Sequence, residues 1–349
     1  MRRGLQAIGK FIVVVLIFSF LISCCGIRQQ IAASPVIKLK HWGNDWNRKD
    51  WSQRLEPVPA ELLHYVLLQN KLDGFSEMPK TVEPLPEIAD VLKEIKSSFS
   101  PALNKLLNER LIGIFCLKDL GSSGFAEEVF DESGGKTYAL IVLDQDVLLR
   151  RKANEWATWK ENSIFLPPKA GGLRLQMIIE PEKRDTVQNA VRYLLLHELG
   201  HVLGAVSNVH PSWTPSAQSI SLNYPFIQLS WKLDDKGKPL SLFDDKFRER
   251  KKIQFYAFEK AQLTNDRMKD IYRQLQQSTN FVSMQAAVNL WEDFAESFAT
   301  YVHVVRDKRP WFVRIDDEQG KSFVLHSCWQ DNRCKTKKGF LEKWYEKPL

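Results

Sequence analysis

Seven histidines occur in the 349 residues, and two of them stand four apart in His197-Glu198-Leu199-Gly200-His201. On a helix, residues at this spacing share one face, one turn above the other. Two imidazoles so placed can both reach one zinc ion. Glu198 lies about 100° round the helix from His197 and about 60° from His201. It borders the metal face without being forced among the ligands. A carboxylate there can take a proton from a water that zinc activates, the general-base role in metal-assisted hydrolysis. The competing reading is two core histidines on a buried helix.

The flanking residues predict the helix that positions the motif. Asp185 with Gln188 three residues on reads as a capping box. Val187, Ala190, Val191, Leu194 and Leu195 give an apolar face at helical spacing. Gly204 is expected to stop the helix at its C′ position. Zinc with two neutral imidazoles still needs an anionic ligand, and leaves a fourth position for water. A second helix is expected from Ser283 as N-cap, with Ala287, Leu290, Trp291, Phe294, Ala295, Phe298 and Val302 at helical spacing. Glu292 and Glu296 share one face of it. Carboxylates in so apolar a helix cost free energy to bury unless a metal or a donor compensates. The alternative is an exposed acidic face unrelated to zinc.

These two helix motifs together resemble the gluzincin division of zinc peptidases. The run Glu-Asp-Phe-Ala-Glu-Ser-Phe-Ala from Glu292 most resembles its lethal-factor-like members. The resemblance covers roughly Leu111–Val305. It implies one Zn2+ ion held by His197, His201 and Glu292, with Glu296 orienting a ligand histidine. It also implies Glu198 as catalytic base and a peptide or protein substrate. The chain departs from the pattern in places. Glu292 follows His201 by 91 positions, a longer gap than in compact members. A metzincin would place a third histidine at 207, where this chain has Ser207, and His210 is off-register. No residue matches the tyrosine or histidine that often stabilises the oxyanion. Tyr301 and His303 are the candidates, although His303 lies about 16 Å along the helix from Glu292.

The rest of the chain must build a scaffold for these helices. Helical patterns run over 60–69, 87–99 and 101–109, followed by strands at 111–117, 125–130 and 137–143 with a hairpin turn at Gly134-Gly135. Residues 144–159 read as helical. In 173–180, Leu173, Leu175, Met177 and Ile179 alternate with polar residues, as in a half-buried strand. By analogy with the zincin fold, this strand is expected to line the cleft and offer its edge to an extended peptide. A Pro- and Ser-rich loop at 209–223 precedes a strand at 227–233 and charged helices at 244–260 and 265–277. Strands at 312–315 and 322–325 follow Pro310. The expected fold is α+β: a zincin-like metallopeptidase domain with a small mixed sheet packed on the motif helix, plus a mainly helical C-terminal part. The expected organisation is a signal peptide at 1–23, a tether at 24–60 and a catalytic domain at 61–310. Within that domain 209–282 is an insertion or lid, and 311–349 is a terminal extension.

Arg2, Arg3 and Lys10 precede an apolar run, Phe11 to Ile22, of signal-peptide length. Leu21-Ile22-Ser23-Cys24 resembles the lipobox of bacterial lipoproteins. This implies cleavage before Cys24, acylation of that cysteine (palmitate among its chains) and attachment to the cell envelope. Cys25 in place of Asp leans toward the outer membrane. An uncleaved N-terminal anchor is the alternative. Cys328 and Cys334 flank a short polar loop and are expected to form a disulfide in an oxidising compartment, with zinc thiolates as the runner-up. Cys116 reads as a buried thiol, and Cys25 has no assigned role. Of the net charge of +7, Arg2, Arg3 and Lys10 sit in the segment expected to be removed; the remaining 7 − 3 = +4 is mild and spread along the chain, weak evidence for a nucleic-acid partner, and none is expected. The sequence therefore predicts a membrane-anchored zinc metallopeptidase. The alternatives are a non-catalytic, chaperone-like binding lipoprotein and an endopeptidase of peptidoglycan cross-links.

Overall fold

The computed structural model describes residues 26–135, 137–168, 171–213 and 223–348. The expected signal segment and Cys24 lie outside these residues. In chain order the elements begin with α1 (26–32), β1 (Leu55–Pro57), α2 (Ala60–Asp73), β2 (Lys80–Thr81), α3 (Pro86–Ser98) and α4 (Pro101–Arg110). Then follow β3 (Leu111–Lys118), β4 (Gly124–Phe130), β5 (Thr137–Asp144), α5 (Gln145–Leu149), α6 (Ala153–Asn162), β6 (Arg174–Ile178) and α7 (Val187–Val206). The chain closes with β7 (Trp231–Leu233), β8 (Pro239–Ser241), α8 (Met268–Ser278), α9 (Leu290–Thr300), β9 (Phe312–Asp316), β10 (Ser322–His326) and α10 (Lys335–Glu346). Among the described residues the fold is α+β, with one small mixed sheet and two smaller antiparallel ones.

The first sheet has the order β1-β3-β5-β4, with β2 on the end of β3. β1, β3 and β5 are parallel, while β4 and β2 run antiparallel to their neighbours. Successive side chains of β5 point to opposite faces, and both faces are covered. Ala139, Ile141 and Leu143 join the core around α7, whereas Leu140 and Val142 pack with Leu62, Tyr65 and Val66 of α2. This two-sided burial explains why β3 and β5 read as continuous apolar runs.

Several expectations are corrected. The tether expected at 24–60 is built into the fold from residue 35 onward. Val36 and Trp51 are fully buried, and β1 hydrogen-bonds β3. The 311–349 segment is no extension. β9 pairs with β6, and α10 joins the main core through Leu341, Trp344 and Tyr345. The strand at 174–178 therefore sits in a separate sheet, β10-β9-β6, because its partner comes from far along the chain. The 244–260 segment is not a helix. It forms short turns at Arg248–Lys252 and Phe258–Lys260, and Tyr256 and Phe258 hold left-handed φ values of 59° and 49° that no α-helix admits.

α7 and α9 cross in direct contact, and the crossing depends on Gly200. A Cβ on Gly200 would sit 2.9 Å from the Cα and carbonyl oxygen of Ala295. Gly204 does not end α7. The helix runs on to Val206, and a Cβ there would strike His210 and Phe294. Thr186, not Asp185, caps α7, its hydroxyl accepting from the Asn189 amide. Asp185 instead accepts from the Asn154 amide of α6.

Gly200→Ala is expected to force the helices apart and cost about 1–3 kcal/mol, the range for overpacking. Gly339→Ala in α10, where a Cβ meets nothing within 4 Å, should stabilise by about 0.5–1 kcal/mol. Denaturant melts of the two variants check the pair. Equal effects would refute the role given to the crossing.

Candidate metal centre

His197 and His201 project from the last turns of α7 toward Glu292 at the start of α9. Asn289 caps α9, its side chain accepting from the amides of Trp291 and Glu292. Ser283, expected as that cap, instead caps a short preceding turn and donates to Glu296 Oε2 at 2.9 Å. The His197 and His201 Nε2 atoms lie 3.1 Å apart. Glu292 Oε2 is 3.3 Å from His197 Nε2, and Oε1 is 3.6 Å from His201 Nε2. Tetrahedral zinc with bonds of about 2.0–2.1 Å sets its ligand atoms about 3.3 Å apart. Among the described residues these three side chains form a group that could hold a metal ion. The donor set, two imidazoles and one carboxylate, fits that use.

Glu296 lies one turn beyond Glu292, and its Oε1 is 3.0 Å from His197 Nδ1. Lys160 of α6 approaches the same oxygen at 3.6 Å. Both side chains are buried. Burial disfavours the Lys160 ammonium, but Glu296, Tyr256, Glu161 and Glu292 together outweigh it and raise the pKa. Burial likewise disfavours the Glu296 carboxylate. Lys160 and His197 overcome this and hold its pKa down to about 2. Burial opposes the His197 imidazolium too, yet hydrogen bonds and charge from Glu292 and Glu296 hold its pKa up at about 10.

Glu198 is 3% exposed, and its Oε2 has no hydrogen-bond partner among the described residues. Burial pushes its carboxyl above the usual range, against the charges of the two histidines. It borders a cleft of about 470 Å3 shared with His197, His201 and Glu292. Gly124, Phe125 and Ala126 of β4 line one side, so the strand edge at the site is β4 rather than 173–180. Trp213 and Phe255-Tyr256 form further walls from the 209–282 region. Gln285 donates to Glu292 Oε2 at 2.9 Å.

The oxyanion candidates do not reach the cleft. His303 Nε2 bonds the Ile179 carbonyl at 2.7 Å, and Tyr301 packs on Trp329. Tyr256, Lys160, Gln254, Gln285 and Asn289 are among the polar residues that line it instead. Sequence spacing gives no signal for Lys160 or Tyr256, which arrive from distant elements. Cys328 and Cys334 are joined by a disulfide. Cys116 is a buried thiol whose pKa burial pushes up to about 12. No family model, curated protein or solved structure matches the chain.

A metal must displace the His197 proton, since only the neutral ring offers Nε2 as a ligand. Zinc binding at pH 7 is therefore expected to release a proton, with affinity rising roughly tenfold per pH unit until about pH 10. Calorimetry in buffers of different ionisation enthalpy measures this. In Glu292→Ala, affinity should fall and the release shrink. A zinc affinity flat between pH 7 and 9 would contradict a proton held on His197 in that range.

Proposed function

We propose that this chain is a zinc-dependent peptidase. The observation that carries the reading is the unpartnered Glu198 Oε2 in the same cleft as three donors spaced for one ion. His197, His201 and Glu292 would hold the zinc. When bound, the ion would polarise a water and a substrate carbonyl.

The chain's own groups supply the remaining steps. Glu198 takes the water's proton on its carboxylate and delivers it to the leaving amine. Its burial raises the proton affinity of that carboxylate, which suits a group that must accept a proton and then return it. Glu296, braced by Ser283 and Lys160, fixes the ring of His197, the expected support for a metal-ligating histidine. Gly124–Ala126 offer backbone groups to an extended peptide, since β4 is the outer strand of its sheet. The aromatic walls exclude water and contact substrate side chains.

A lipid on Cys24 would tether the folded body to the bacterial envelope, with 25–34 as the connecting segment. Among the described residues no helix is long and apolar enough to cross a membrane. Metabolic labelling with a palmitate analogue should mark the wild-type chain and fail to mark Cys24→Ala. Equal labelling of both removes this part.

Glu198→Gln keeps the shape and removes the base. It should bind zinc with nearly wild-type affinity and lose peptide hydrolysis by about 10²–10⁴-fold, the contribution typical of a positioned base. A chelator should abolish wild-type hydrolysis, and added zinc should restore it. Full turnover by Glu198→Gln would eliminate the mechanism.

A further inference from the structure

Among the described residues, the outer edge of β4 is open beside the metal centre and closed farther along. β4 pairs with β5 on one side, through Glu127 opposite Leu140 and Glu128 opposite Ala139. Consecutive strand residues point to opposite faces of a sheet. Yet Glu127 and Glu128 both reach one short segment. Trp213 Nε1 donates to Glu127 Oε1 at 3.0 Å, and the Ser212 hydroxyl donates to Glu128 Oε2. A segment gripped from both faces by neighbouring residues must pass across the strand's edge. The segment is anchored independently, because Trp291 Nε1 of α9 donates to the Pro211 carbonyl at 2.7 Å. At the far end of β4, Phe130 is bridged by Lys38. The Trp213 ring stands edge-on to His201 at 6.1 Å between centroids, so the barrier comes up to the metal ligands.

We infer that this crossing limits the substrate. Among the described residues the open stretch of β4 is Gly124–Ala126, three residues, the part that lines the cleft. At about 3.3 Å per residue, it accommodates about three residues of an extended peptide on that side of the bond to be cut. The substrate class is then a peptide cleaved close to one of its ends, and Trp213 sets the distance. Trp213 is a specificity determinant and takes no part in proton transfer. This rests on the peptidase reading and goes beyond it, since a peptidase with a fully open edge would cut chain interiors.

A mixed-sequence library of linear peptides and its head-to-tail cyclised counterpart are incubated with the zinc-loaded full chain, and products are read by mass spectrometry. First cuts are expected within about three residues of a terminus, the amino and carboxyl ends being told apart by blocking each, and the cyclic library should stay intact. Trp213→Ala should move cuts into chain interiors and open the cyclic peptides. The wild-type product lengths decide the matter if that variant fails to fold. Interior cuts by the wild type, or cyclic peptides opened as fast as linear ones, overturn the inference while leaving the peptidase reading in place. No zinc-dependent cleavage in either library overturns both.

Discussion

The site depends on how closely α7 and α9 can approach. Side chains at an ordinary helix crossing hold the axes 8–10 Å apart. Gly200 removes the one Cβ that would stand between α7 and the backbone of Ala295. The glycine lies inside the histidine motif, and Ala295 lies between Glu292 and Glu296. The same contact therefore joins both functional pairs. Moving either helix outward would separate Glu292 from the rings of His197 and His201 together. The sheet and the helices around α7 then serve to hold the crossing in place.

Charge is the second constraint. Glu198, Glu292 and Glu296 bring three carboxylates into a mostly buried volume, where uncompensated charge is costly. Lys160 offers one positive charge, touching Glu296 from behind. Without a metal, the imidazolium of His197 supplies another. A divalent cation would take that place and match the remaining acids more fully. This balance explains why the apolar helices tolerate Glu198, Glu292 and Glu296, while the buried Asp293 of α9 is paired with Lys337.

The motif helices were legible in the sequence because metal ligation and helical geometry both impose fixed spacings. The strands 111–117, 125–130 and 137–143 were legible because apolar runs between turn residues have few other uses. What failed were features set by distant partners. The 174–178 strand shows its buried face in its alternation, but nothing local names β9 as its neighbour. The 244–260 segment has the charge pattern of a helix. In the fold, however, the Arg250 guanidinium bonds Asp244 and the carbonyls of Ala287 and Val288, while Tyr256 turns left-handed to face the cleft. Gly204 looked like a helix stop, since a glycine near an end has the same letter whether it bends the chain or admits a neighbour. The segment 24–60 looked like a tether because charge, Trp and Pro mix there, yet Trp51 packs into the core. Its ring is in fact buried, with its Nε1 bonded to Asn104.

The central claim is that one divalent ion sits where these two helices meet. Anomalous diffraction at the zinc edge, from crystals of the folded chain grown with zinc, tests it directly. The account predicts a single strong peak within bonding distance of His197 Nε2, His201 Nε2 and a Glu292 oxygen. A peak elsewhere, or a peak bonded to the histidines with Glu292 turned away, would contradict it.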